Sequence, residues 1–511
     1  MNPTDRRLSL QIVVPLLFVY CLISVLGIHY HEMFLDEAHH FLMPRDSASL
    51  AEFYDNLRYD GHPRLWGGLL FFITHYITVN PVAMQVLHLL ITASAVYVFL
   101  RYAPFSLPMK ILILSGYYFL FEYNWLSRNY ALGILLLFIC CHLLRDAEKN
   151  LLRIGCLMLL MCNTHVFFTF ASMGIFGYLF IGYARQKKLL TRRWLLFTGL
   201  FLVGFACALI QARTPRADNV NMTPVRPDEW LSVKNFSFAA FGLIKGWLPV
   251  PQVNSGHFWN SYWLNKNNIP WVIESVLFLG LLVFPALLLR KKIGPFFFYY
   301  TCIGMLLMFF VVTQMVGSRY FGMVYIFFLA AAWMTADESG EVFSMPSIPG
   351  GRGIKLAFLT GLYGILVIQT GVGIYALEQD IRRPFSESKP TADYLKGLQP
   401  GGRQIVVDGY NAGPPLCAYL EGKVFYLATG AEGSYCVWKK SYFPWPRPSI
   451  SEEIAQNPGL RRFGEFILVS NRNLSTDSIR SAGGNYRLKA LKSFDKSIIG
   501  ENYFVYQVDP F

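Results

Sequence analysis

A chain of 511 residues that is 54% hydrophobic and 15% charged, with a mean hydropathy of +0.37, does not suit a string of soluble domains, because its apolar residues are blocked into runs of membrane-crossing length. The formal net charge of +13 does not imply nucleic acid, since the basic residues sit in short clusters beside apolar runs: Arg6/Arg7, 185–188, Arg192/Arg193 and 290–292. That is the pattern of cytoplasmic membrane flanks.

The first apolar run, 8–28, follows Arg6 and Arg7 but has no small-x-small cleavage site, and many further runs come after it. It reads as a retained first helix rather than a signal peptide. At about 20 residues per crossing, with allowance for short or tilted helices, spans are expected near 9–29, 82–100, 109–123, 129–144, 151–163, 166–184, 194–211, 271–290, 295–314, 318–335 and 354–376. These make about eleven crossings, twelve or thirteen at the upper end, in a membrane body of residues 1–377. The stretch 63–79 is expected as a partly inserted or surface helix. The basic clusters and the 145–153 loop are placed in the cytoplasm, so the first loop (30–62), the segments 122–129, 163–165 and 314–319, and the C-terminal part share the outer side.

The first loop contains FLDEAHHFLMPRDSASLAEFYDNLRYDGHPRLW over residues 34–66. Asp36 and Glu37 follow the first helix at the depth where a membrane-borne substrate presents its head group. Leu50, Phe53 and Leu57 have the spacing of a helix lying flat on a surface, and Gly61-His62-Pro63 turns the chain back. A carboxylate held there can take a proton from an acceptor hydroxyl or phosphate, and Asp36 is the first choice. A His or a second acid can help bind a divalent metal ion, with Glu37, His39, His62 and His165 as candidate ligands. The run HEMFLDEAHH lacks the HExxH zinc spacing, and the adjacent His39 and His40 cannot both face one site on a regular helix.

Further on, Asn163-Thr164-His165 forms a junction between apolar runs. Arg128 in LSRNYALG and Arg319 before Tyr320 are interfacial arginines whose guanidinium forks suit a phosphate. The 213–271 stretch, with Trp247, His257, Trp259, Tyr262 and Trp263, is either an acceptor-binding loop or a set of interfacial aromatics. It also contains NMT and NFS sequons.

Past residue 375 the composition turns polar. QIVVD (404–408), KVFY (423–426) and FILVS (466–470) read as buried strands, and 416–420 as the start of a helix between them. A small α/β domain over 378–511 is expected. Of the nine cysteines, none in paired CxxC spacing, most lie in apolar runs as small core residues. Only Cys417 and Cys436 fall where an extracytoplasmic disulfide is an option.

Three features carry a family likeness: an acidic pair directly after the first span, the GHPRLW turn closing the first loop, and Arg319-Tyr320 opening a late span. Together they resemble the GT-C membrane glycosyltransferases, in particular the protein O-mannosyltransferase and aminoarabinose-transferase-like group of glycosyltransferase family 39. The likeness is best over 9–145 and weaker to about 335. It implies a mainly α, polytopic GT-C body, with Asp36 and Glu37 as the catalytic or acceptor-orienting carboxylates. His62-Pro63-Arg64-Leu65 matches the family's HPPL turn with Arg64 in place of the second proline. Arg319 and Tyr320, with Arg128, His62 and Arg64, would hold the lipid phosphate.

The function expected from this is inverting transfer of a sugar from a polyprenyl-phosphate carrier to a glycan, lipid or protein acceptor at the outer face of a bacterial cytoplasmic membrane. A lipid or solute transporter or flippase and a polysaccharide polymerase or ligase are the alternatives. The acids concentrate in a loop rather than at mid-bilayer, which disfavours transport.

Overall fold

The computed structural model describes residues 8–215, 217–220, 226–230, 232–253, 256–263, 270–290, 292–315, 317–336, 351–398, 402–474, 480–481 and 484–510. Arg6, Arg7, Lys291 and the NMT sequon at Asn221 lie outside the described residues.

The chain is mainly helical. After α1 (Leu10–Tyr30) the first loop forms α2 (Leu35–Asp46) and α3 (Leu50–Leu57), then α4 (Leu65–Tyr76) and α5 (Val82–Tyr102). A helix is present where one was expected around Leu50 to Leu57: it is α3, with Phe53 and Leu57 buried against Met43 and Phe71, capped by Ser49, whose hydroxyl accepts from the Glu52 N–H at 3.2 Å. At 12 residues α4 reaches about 18 Å, short of a hydrocarbon core of about 30 Å.

Next come α6 (Leu107–Ser115), a single π-helical turn at Tyr118–Glu122, and the pair α7 (Tyr130–Leu143) and α8 (Ala147–Cys162). This corrects the expected continuous span at 109–123. At Gly116 the backbone turns extended (ψ 155°), and a later helix, α15 (Gly351–Arg382), packs onto the break. A Cβ on its Gly373 would lie 2.8 Å from the Ser115 carbonyl oxygen, so only glycine admits that approach.

The apolar stretch Tyr130–Cys162 is a hairpin rather than a rod. Asn129 Nδ2, before α7, donates to the Thr164 carbonyl, after α8, at 2.9 Å, and Cys140 Sγ lies 3.9 Å from Met161 Sδ. Helices α9 (Val166–Arg185), α10 (Arg192–Gln211), α11 (Val233–Trp247), α12 (Trp271–Leu289), α13 (Ile293–Thr313) and α14 (Ser318–Met334) complete the body ahead of α15. Among the described residues, eight helical stretches are long and apolar enough to cross a membrane, counting Tyr130–Cys162 once. Leu65–Tyr76 and Ser318–Met334 are shorter apolar helices.

The C-terminal part opens with α16 (Ser388–Leu398), β1 (Ile405–Asp408), α17 (Gly413–Leu420), β2 (Val424–Tyr426) and β3 (Ala431–Gly433). It closes with α18 (Ile450–Ala455), β4 (Phe466–Ser470), β5 (Arg480–Ser481), β6 (Gly484–Phe494) and β7 (Tyr503–Pro510). The sheet order is β3-β2-β1-β4-β7-β6-β5, with β2, β1 and β4 parallel and the other neighbours antiparallel. The three strands expected from sequence are the parallel centre.

Alternate residues of this sheet serve different cores. Val406, Phe466, Leu468, Tyr506 and Val508 pack with Ile454 of α18. Ile405, Val407, Ile467, Val469 and Val505 join α17 and also Ala38, Phe41 and Leu42 of α2 and Trp66 and Leu70 of α4. The tail and the first loop therefore share one core at one end of the molecule. Cys417 and Cys436 are both free thiols, Cys417 donating to the Gly433 carbonyl at 3.8 Å and Cys436 facing His39 Nδ1 at 3.7 Å.

Two acids tie this joint. Glu501 accepts from the Leu35 N–H and the Ser386 hydroxyl, each at 2.8 Å, and Glu32 accepts from the Phe385 N–H at 2.8 Å. Burial pushes both carboxyls up to about 7 from an ordinary 4.5. A folded-state value above the unfolded one means that these groups contribute stability fully below pH 4.5 and lose it as pH rises through about 7. The melting temperature of the detergent-solubilised protein should therefore fall between about pH 5 and pH 8 by more than that of the Glu32→Gln/Glu501→Gln double variant. Parallel pH profiles for the two proteins would count against this account.

Candidate functional site

The N-terminus of α2 has no side-chain cap from Phe34, so its open N–H groups attract carboxylates. Glu501 takes the Leu35 N–H from outside. Glu37, in the helix's own first turn, turns back towards the Phe34 N–H at 3.4 Å.

Glu37 is fully buried, with both oxygens engaged. Oε2 meets His31 Nε2 at 2.9 Å, and His31 Nδ1 meets Asp380 at 2.7 Å. Oε1 accepts from the Ser127 N–H at 2.5 Å. Its place in the structure is that of a strut joining the ends of α1 and α15 to the residue before Arg128.

Asp36 turns the other way. Its Oδ2 accepts from Arg319 Nη2 and lies 3.4 Å from Arg128 Nη1. The Asp36 side chain is 25% exposed, those of Arg128 and Arg319 5% and 13%. Burial pushes the Asp36 carboxyl up, but the charges of Arg319 and Arg128 outweigh it and hold the group well below the usual carboxylate range. One negative charge faces two positive ones. Arg319 Nε and Nη1 and Arg128 Nη1 have no hydrogen-bond partner among the described residues.

Arg319 is placed by the start of α14. Its carbonyl accepts from the Tyr123 hydroxyl at 2.7 Å, and its guanidinium lies over Tyr320, Trp259 and Phe34, 5.2, 5.8 and 6.0 Å from the ring centroids. Tyr320 is buried and contributes packing on Arg319.

On the Arg128 side, His40, His62 and His165 form a column with ring centroids 5.4 and 5.3 Å apart. Burial first, and neighbouring charges second, keep all three below the usual histidine range, His62 down to about 4. His165 accepts from the Phe167 N–H through Nδ1 at 3.3 Å, so its Nε2 carries the proton and donates to the Tyr130 hydroxyl at 3.2 Å.

Of the candidate metal ligands, His62 and His165 lie together in this column, whereas Glu37 and His39 are engaged elsewhere. Glu37 is satisfied by His31 and Ser127. His39 is held by Asp60, at 3.1 Å to both oxygens, and the Asp60 charge overcomes burial to raise the ring above the usual histidine range. No group of three or more His, Cys, Asp or Glu that could hold a metal ion occurs among the described residues. The Arg64 guanidinium stacks over Tyr54, 4.3 Å from the ring centroid.

At the junction of Asn163 to His165 the Asn163 carbonyl accepts from the Leu65 N–H at 3.0 Å, and its side chain accepts from Gln211 at 2.7 Å. Several groups had no assigned role in the sequence reading. They include His31, Asp380 and Glu501, and also Glu122, which is 2% exposed and receives Tyr117 OH and Trp259 Nε1 at 2.6 and 3.1 Å. The chain matches no protein-family model and no curated protein.

If Glu37 is a strut, Glu37→Ala should destabilise the protein by about 3–5 kcal/mol, because it leaves His31 and the Ser127 N–H buried without their acceptor. Glu37→Gln, which keeps an acceptor for Ser127, should fall between wild type and Glu37→Ala in thermal unfolding. A melting temperature for Glu37→Ala equal to that of wild type would remove this role.

Proposed function

We propose that the protein is an integral-membrane glycosyltransferase that moves a sugar from a polyprenyl-phosphate donor to an acceptor hydroxyl at the outer face of the cytoplasmic membrane. The observation that carries this reading is the charge imbalance around Asp36. Two largely buried guanidiniums share one carboxylate and keep N–H groups unpaired among the described residues. Unpaired buried charge is costly, and a phosphate presents the oxygens that two planar forks can grip. The position also suits a lipid carrier, whose apolar chain would lie along the helices while its head group reached this end of the bundle.

In the proposed reaction the acceptor oxygen attacks the anomeric carbon, and the bond from that carbon to the phosphate oxygen breaks with its electron pair left on the phosphate. Arg319 and Arg128 neutralise the charge as it grows. The acceptor's proton passes to Asp36. Held by Arg319, Asp36 is a weak base, because the pairing keeps its carboxyl far below neutrality. A donor phosphate that draws Arg319 to itself restores basicity at the moment it is needed. Attack opposite the departing phosphate inverts the anomeric centre, as the GT-C likeness implies. Glycan, lipid and protein acceptors all offer the hydroxyl this chemistry needs.

Purified protein incubated with radiolabelled polyprenyl-phosphate sugars should transfer label to an acceptor. Asp36→Asn should slow transfer by about 10²–10⁴-fold and Arg319→Lys by about a hundredfold or more, with folding intact. Absence of transfer from every donor, together with measurable flux of a lipid or solute, would favour the transporter alternative and overturn this reading.

A further inference from the structure

Glu122, linked to Arg319 through Trp259, is an acid that this mechanism leaves unused. It ends the π-helical turn, a distortion that recurs at functional sites because it re-aims side chains. Oε2 is satisfied by Tyr117 and Trp259, but Oε1 is buried and has no partner among the described residues. The Lys245 ammonium donates to the Asn260 carbonyl, at 2.9 Å, and not to Glu122. A buried carboxylate oxygen without a donor is costly enough to mark a place where a donor belongs.

Trp259 links Glu122 to Arg319, with its N–H on the carboxylate and its ring 5.8 Å from the guanidinium carbon. It is held there by its neighbour Asn260, in the left-handed conformation (φ 58°), whose side chain accepts from the Ser318 N–H at 2.7 Å and whose carbonyl takes Lys245. The 258–261 turn is thereby clamped between α11 and the start of α14. The indole itself remains partly exposed.

We infer that Glu122 Oε1 and the Trp259 ring form the subsite for the donor's sugar, Glu122 accepting a hydrogen bond from a sugar hydroxyl while the indole packs against the ring's C–H face beside the arginine that grips the phosphate. This rests on the glycosyltransferase reading of the same site. It assigns selection of the sugar to an acceptor group, which discriminates strongly against a donor lacking the matching hydroxyl.

The test uses the full-length protein in nanodiscs and measures binding of bare polyprenyl phosphate and of a panel of polyprenyl-phosphate hexoses and pentoses. Wild type should prefer at least one sugar-bearing carrier over the bare carrier by about tenfold, the size of one hydrogen bond to a charged group. Glu122→Gln, which turns an N–H₂ donor towards the subsite, should abolish that preference and leave bare-carrier binding unchanged. Trp259→Phe, which keeps the carboxylate but removes its orienting N–H, should weaken the preference in the same way, and it decides the matter if Glu122→Gln does not fold. A preference that survives in the folded variants, or is absent from wild type, overturns the inference. Arg319→Ala separates the two levels. If it abolishes bare-carrier binding, the function reading stands even when the sugar subsite fails, whereas bare-carrier binding indifferent to Arg319 sinks the function reading itself.

Discussion

A carboxylate caught between two largely buried guanidiniums sets the geometry of this protein. Each arginine is costly to bury alone, and attraction in a poorly screened setting returns that cost only at close range. The three groups come from separate parts of the chain: Asp36 from the first turn of α2, Arg128 from the turn ahead of α7, Arg319 from the start of α14. Their meeting requires the first loop, the broken segment after α6 and a late apolar helix to end at one level.

The position of α2 is the most exacting of these demands, because a helix N-terminus without its own cap must find acceptors elsewhere. Here they are carboxylates. Glu37 serves from within, and Glu501 reaches in from the loop before β7, which the shared core brings against α2. The tail is thus part of the support for Asp36. Its sheet divides its residues between a core with α18 and one that continues into α2, α4 and α5. The period of two along β1, β4 and β7 is what allows one sheet to serve both.

Features set by local composition were legible in the sequence. The long apolar runs became α1, α5, α9, α10, α12, α13 and α15, and three short β-branched and aromatic runs became the parallel centre of the sheet. The interruption between α6 and α7 was not legible, because hydropathy registers apolar side chains and not the backbone contact between Gly373 and Ser115 that occupies the break. Nor was the role of Arg64, which depends on Tyr54 lying within stacking reach. The acids beside the site were the hardest to read. Glu122 owes its environment to Trp259, more than a hundred positions later, and His31 is paired with Asp380 from the far end of α15. Sequence distance hides such pairings unless each member already stands out.

Asp36 and Glu37 show how two chemically similar neighbours divide their work. Successive helical residues point about 100° apart, so an acidic pair at a helix start cannot send both carboxylates to one place. One faces the core junction, where a histidine and a backbone N–H satisfy both of its oxygens, and exchanging those partners would disturb α1, α2 and α15 together. The other faces two arginines and is partly exposed. In the proposed reaction this is the ion pair that is exchanged, so that binding of the donor phosphate and activation of the carboxylate become the same event. The fully bonded neighbour would hold the helix still during that proposed exchange.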